Sequence, residues 1–147
     1  MPGQDAQKPT VEGLSNFELA SRLSMFLWCS TPDAELLELA TKGRLSEPDV
    51  VLSQGERMLS DARSHRFSEH FVRQWLGMQL LDFLSVNRKT YPQFGPSLKE
   101  AMQEEPVAFF HEVLQSDSSV LDFIHADYTM ANERLARHYG VSGVYGN

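Results

Sequence analysis

Apolar positions along the chain recur at three- and four-residue spacing. They come in stretches broken by Ser, Thr, Pro, Gly and Asp, and that period belongs to amphipathic helices. Leu19, Leu23, Phe26 and Leu27 mark a first helix over about 16–29. Ser15-Asn-Phe-Glu18 ahead of it is a capping box, in which the hydroxyl and the carboxylate satisfy reciprocal backbone donors. Leu14 and Leu19 flank it at staple positions. The end of this helix, Met25 to Cys29, is apolar nearly all round and is expected to be deeply buried. Thr31 and Pro32 predict the cap and first position of a second helix, with Leu36, Leu37 and Ala40 inward and Gly43 as its stop. Ser46-Glu-Pro-Asp49 opens a third helix in the same way. Val51, Leu52, Met58 and Leu59 form its inner face, and Gly55 allows a close approach.

The strongest pattern follows, from Asp61 to Gly77. Phe67, Phe71 and Trp75 fall at i, i+4 and i+8 and place three large rings on one helical face, widened by Val72 and Leu76. Asp61 can cap the start and Gly77 can close the end. The opposite face carries Arg63, His65, Arg66, Glu69, His70, Arg73 and Gln74, with Glu69 four residues before Arg73 as an ion pair. This segment is expected to be the spine of the fold, so that Phe71→Ala costs about 3–5 kcal/mol.

The longest loop is expected over 78–96, packed on the surface through Tyr91, Phe94 and its prolines. Ser97-Leu-Lys-Glu100 is a second capping box. The helix after it has Met102, Phe109, Phe110, Val113 and Leu114 on its apolar side, and Pro106 predicts a kink or break. Ser118 to Ile124 reads as a short helix and Asp127-Tyr-Thr as extended. Thr129 caps a last helix over about 130–139, with Ala131, Leu135 and Tyr139 inward, a Glu133–Arg137 pair and Gly140 as its stop. No alternating apolar/polar run argues for a sheet. The expected fold is all-α, a single-domain irregular bundle of six to eight helices. A flexible leader is expected over 1–12, the helical domain over 13–142, and a tail leading to a further domain over 143–147.

Charge narrows the function classes. The 147 residues carry a net charge of −7, which argues against a general binder of nucleic acid or anionic membrane. Residues 61–90 are locally basic at +2, whereas residues 1–60 and 91–147 carry −4 and −5. The basic helix is expected to pair with its own acidic neighbours, and the acidic flanks offer a face to a basic partner. No apolar run is long enough to span a bilayer, and Met1 to Glu12 lacks the apolar core of a signal peptide. The lone Cys29 rules out an internal disulfide and reads as an inert core thiol.

Candidate chemistry is sparse. His111-Glu-Val-Leu-Gln115 stops one residue short of the zinc motif His-Glu-x-x-His, because Gln115 is a poor ligand, and His111 reads as a surface residue. His65 and Glu69 could share a metal. His65 and His70, five residues apart, diverge by about 140° around a helix and do not converge on one ion. Gly140-Val-Ser-Gly143 is too short for a nucleophile elbow, and Asp117, Asp122 and Asp127 lack calcium-loop spacing. No catalytic residue, metal ligand or cofactor site follows from the sequence. A pocket between the 78–96 loop and the 127–140 segment would gather His70, Arg73, Asp127, Tyr128 and Arg134 as its polar groups.

Three long segments carry a resemblance: Leu14 to Trp28, Phe71-Val-Arg-Gln-Trp-Leu-Gly77, and Asp127 to Gly140. Together they resemble an uncharacterised domain of large multidomain proteins abundant in planctomycetes and related bacteria, which usually carry a c-type cytochrome domain as well. The similarity covers about residues 13–142. It implies a parent protein that is exported, periplasmic or at the cell surface. It implies the neighbouring domains of the same polypeptide, and possible basic or redox proteins, as partners; charge and the lack of a long apolar run are the grounds for expecting no nucleic acid and no membrane insertion. This chain lacks Cys-x-x-Cys-His, so haem c is expected in another domain and no cofactor in this one. The resemblance brings no catalytic residues with it. The functional expectation is a non-catalytic scaffold or docking module. The alternative is part of an enzyme or a ligand pocket built from the 78–96 and 127–140 segments.

Overall fold

Helix stop and start signals divide the described residues, 13–146, into seven α-helices and two 3-10 helices in the computed structural model. No strand occurs among them, so the all-α expectation holds. The leader expected over 1–12 lies outside the described residues. Backbone contacts group the chain into two compact units, Met1–Glu56 and Arg57–Asn147.

In the first unit, α1 (Asn16–Trp28) begins at the expected capping box: Glu18 N–H donates to Ser15 Oγ (3.3 Å) and Ser15 N–H to the Glu18 carboxylate (2.8 Å). Its buried stripe is Ala20, Ser24, Leu27 and Trp28. The expectation of a fully buried end is corrected here, because Met25 and Phe26 are exposed, Phe26 at 64%. The residues that are buried at this end, Leu27 and Trp28, follow directly after them. The buried Ser24 hydroxyl is satisfied within its own helix, donating to the Ala20 carbonyl (2.9 Å). Cys29 is half-buried and closes α1 with a left-handed backbone, φ 49°.

Helix α2 (Ala34–Thr41) is capped by Asp33, not Thr31: the Asp33 carboxylate accepts from Leu36 N–H at 3.0 Å. A charged cap at the positive end of the helix dipole is favoured, and the Thr-Pro pair stays outside the helix. Gly43, at φ +70°, lets Gly43 N–H reach the Ala40 carbonyl (3.1 Å) and Arg44 N–H the Leu39 carbonyl (3.0 Å), a paired helix stop that favours glycine. Helix α3 (Pro48–Leu59) is tied to α2 by Gln54 Nε2 donating to Glu35 (2.7 Å). Nothing lies within 4 Å of a Cβ placed on Gly55, so the expected close approach is absent there, and Leu52 is exposed.

In the second unit, Asp61 caps a 3-10 turn, Ala62–Ser64, rather than the central helix itself. Hydrogen bonds from the Arg63 guanidinium (2.7 and 2.8 Å) and the Arg63 N–H (2.9 Å) hold its carboxyl well below the usual carboxylate range. Helix α4 (His65–Trp75) follows and packs on α5 (Pro96–Gln115). Its buried side is Ser68 and Val72, continuing from Ser64, not the ring stripe. Phe71 is 41% exposed and Trp75 56%. The expected loss on Phe71→Ala is therefore corrected to about 1–2 kcal/mol, roughly in proportion to the area that remains covered.

Two clusters carry this unit. Val72, Met78 and Val107 are buried, with Leu81 and Phe110 against them. Leu98, Ala101 and Leu135 form the second, with Phe94, Met102 and Ala131. Gly77 (φ +61°) turns the chain into a 3-10 helix, Met78–Phe83, inside the segment expected as loop. Asp82 on it accepts from Arg73 (3.3 Å) and Gln103 (3.1 Å), and its backbone carbonyl from Lys99 (3.2 Å). Arg73 thus reaches Asp82 rather than Glu69.

Helix α5 starts with Gly95 as cap and Pro96 at its first position, where a missing N–H costs nothing, so the Ser97 box is not used. It runs unbroken through Pro106, so of the expected kink or break the break does not occur. Ala101 and Val107, buried on either side of the proline, belong to the two clusters and hold both halves in place against the lost backbone bond. Helix α6 is one turn, Asp122–His125. Helix α7 (Glu133–Tyr139) is capped by Asn132, which accepts from Leu135 N–H at 3.0 Å, while Thr129 donates instead to Glu105 (2.7 Å). After Gly140 the chain folds back: Glu133 N–H donates to the Gly146 carbonyl (2.9 Å).

Candidate docking surface

The seam between α4 and α5 is polar. On α5, His111 and Gln115 are four residues apart; on α4 and the turn before it, Ser64 and Ser68 have the same spacing. The pairs match: Ser68 Oγ lies 2.9 Å from His111 Nδ1, and Gln115 Nε2 donates to Ser64 Oγ (3.1 Å) and to the Leu59 carbonyl (2.6 Å). The His65 ring meets His111 edge-on at 5.1 Å. Burial, together with the neighbouring His65, pushes the His111 imidazole below its ordinary pKa. Ser68 is fully buried, so its hydroxyl is closed to a substrate and its bond to His111 is structural.

The small serines let the helices approach, and the large rings are left at the edge of the seam. There they assemble with rings from α5 and α6. Along α4, Phe67, Phe71 and Trp75 follow one another at 5.7 and 5.8 Å. Phe71 meets Phe110 at 5.0 Å, Phe110 stacks on Phe123 at 5.6 Å, and Trp75 meets Phe123 edge-on at 5.9 Å. Phe123 in turn meets Phe109 at 5.9 Å, and Phe109 meets Tyr128 at 5.3 Å. Seven rings form one continuous band, and none of them is buried.

At the Tyr128 end the band opens into a wide-mouthed, solvent-open hollow of about 450 Å³ between α5 and α6. A second cavity, about 600 Å³, lies between α5 and residues 130–134, with Glu100, Glu104, Glu105, Asn132 and Arg134 on its walls. Glu105 lines both cavities. Its two oxygens accept from Thr129 Oγ1 and from Tyr139 Oη, each at 2.7 Å, and the second bond pushes the Tyr139 phenol up to about 12. Arg134 donates to the Gln93 carbonyl (2.7 Å).

Comparison with known proteins then supplies a family. The model of the family described as "Protein of unknown function (DUF1592)" matches residues 14–141. The chain belongs to this family. No curated protein matches it, and no solved structure does.

The residues that the sequence suggested for a pocket are dispersed in this DUF1592 domain. Arg134 lines the larger cavity and Tyr128 the smaller. His70 is exposed on α4, Arg73 is engaged with Asp82, and Asp127 is exposed on the extended segment; none of the three lines either cavity. From the 78–96 loop, Gln93 approaches Arg134. His65 faces His111 rather than sharing a ligand with Glu69, and no group of three or more His, Cys, Asp or Glu suited to a metal ion occurs among the described residues.

Sequence reasoning missed the Ser64/Ser68–His111/Gln115 match, whose equal spacing on two helices was the available signal. It placed Phe109 and Phe110 on the apolar side of α5, where Phe110 does pack against the Val72 cluster, but gave no sign that both rings join those of α4 and α6. The seam has a consequence for pH. Burial and the neighbouring His65 disfavour the charged form of His111 in the folded domain, so stability is full above about pH 6.5, the ordinary histidine value, and is lost progressively as pH falls below it. Urea midpoints of the wild type and of His111→Gln, which has no group titrating there, should draw together between pH 7.5 and 5.5. An unchanged difference across that range would remove His111 from the account.

Proposed function

We propose that this domain is a non-catalytic docking module of a larger exported protein that also carries a c-type cytochrome domain, and that its aromatic band is the face that binds a neighbouring domain. The band is the observation that carries this reading. Seven rings in mutual contact, all at least partly exposed, form the kind of surface that gains most from being covered, and aromatic residues dominate the energetics of interfaces. The exported, cytochrome-linked setting is supported by the resemblance of the Leu14–Trp28, Phe71–Gly77 and Asp127–Gly140 segments. The partner would be another domain of the same polypeptide, or a basic or redox protein drawn to the acidic 91–147 region, and the haem would lie in that other domain. The alternative, a ligand pocket or part of an enzyme formed by the 78–96 loop and the 127–140 segment, has only a cavity of about 220 Å³ among Gln93, Leu98, Arg134, Arg137 and His138, and the cavity of about 600 Å³ beside Arg134 takes no residue from 78–96. It is the weaker reading, because the polar groups expected there are spread over the domain or already engaged.

Calorimetric titration of the domain with the neighbouring domains of its own polypeptide tests the proposal. Binding should weaken at high salt, and Trp75→Ala should weaken it about tenfold or more. Stability should fall far less, since Trp75 is 56% exposed. Absence of binding, or wild-type affinity in the Trp75→Ala variant, would sink the proposal.

A further inference from the structure

We infer that the cavity at the Tyr128 end of the aromatic band is a cage for an organic cation, delivered as the lysine side chain of the docking partner. This rests on the docking reading and names what that partner must carry. Three rings line it at steep mutual angles: Phe109 stands at 72° to Phe123 and is tilted 41° to Tyr128. Two carboxylates, Glu105 and Asp122, share the lining with them, and no Lys, Arg or His stands among the lining residues. Glu105 cannot swing out to solvent without breaking its bonds to Thr129 and Tyr139. Those neutral donors position its carboxylate but leave its charge uncancelled.

The combination selects by charge. π-faces and carboxylates, one of them held in place, both attract a cation. An anionic ligand would be repelled, and a neutral apolar one would desolvate the carboxylates without pairing them. The cavity is continuous with the band through Phe109 and Phe123, so apolar groups flanking the lysine on the partner have rings to rest on. The −5 charge of residues 91–147 favours the approach of a basic partner.

The probes are two short acetylated and amidated peptides, Leu-Lys-Leu and its norleucine counterpart, and tetramethylammonium chloride. Each is titrated into the whole domain with amide chemical shifts as the readout. The lysine peptide should bind about three- to fivefold more tightly than the norleucine peptide. Shifts should centre on Phe109, Phe123 and Tyr128. The advantage should disappear in Asp122→Asn, which keeps the shape of the side chain, and in Tyr128→Ala. Equal affinity of the two peptides, or an advantage that survives both substitutions, would overturn the cage. Tetramethylammonium binding more tightly than the lysine peptide would overturn the partner assignment in favour of a small free cation. A partner domain that still binds through Trp75 while the two peptides behave alike would end the cage inference and leave the docking proposal standing.

Discussion

Trp28→Ala should cost about 3–5 kcal/mol, the range for emptying a fully buried aromatic site. Trp28 is completely enclosed, at 0% exposure, and with Leu27, Ala20 and Ser24 it makes the buried stripe of α1. A domain of this size has a total stability on the order of 5–15 kcal/mol, so the loss would leave the first unit marginal. Urea unfolding followed by far-ultraviolet circular dichroism measures it, with Phe26→Ala two residues away as the control. Phe26 is largely exposed, and its replacement should cost well below the Trp28 value. A Trp28→Ala loss under about 1 kcal/mol would show that α1 is not anchored through this ring.

Leu135→Ala should be the most damaging single truncation in α7, at about 2–5 kcal/mol. Leu135 is 1% exposed and joins α7 to Leu98 and Ala101 of α5. Its backbone N–H also takes the Asn132 cap, and the Tyr139–Glu105 bond depends on the same docking of α7. The effect should therefore reach beyond the cavity left behind: amide exchange across α7 should accelerate along with the fall in the urea midpoint. Unchanged protection of the α7 amides would separate that helix from the cluster.

The local rules of the chain were readable where one candidate stood alone. Ser15 and Glu18 form their capping box, and Gly43, Gly77 and Gly140 take the left-handed backbone that ends or turns each segment. Where two candidates stood within a few residues, propensity did not choose between them. Asp33 caps instead of Thr31, Gly95 with Pro96 instead of Ser97, and Asn132 instead of Thr129. Each difference shortens or shifts a helix by one turn or less. Local capping preferences there differ by less than the energy of seating the helix on its neighbour.

The candidate surface was harder to read, because its parts are far apart in sequence. Phe71, Phe110, Phe123 and Tyr128 come from α4, α5, α6 and the irregular segment after α6, and only their packing makes them one band. The helix spacing of Phe67, Phe71 and Trp75 correctly marked one face but not its fate. Ser68 and Val72, about 60–100° further round the helix, occupy the buried side instead.

The sequence by itself determined that this chain is helical, where most of its helices lie and stop, and that it carries no ready-made catalytic or metal motif. These properties follow from spacing and from capping chemistry, which act within a few residues. Only the tertiary structure decided which apolar faces are buried and which are offered outward. Burial is set by the shape and polarity of the neighbour: α5 brings His111 and Gln115 to the seam, these require the serine hydroxyls opposite, and the large rings of α4 are displaced to the edge. That displacement turns an expected core into the surface on which the proposed function rests.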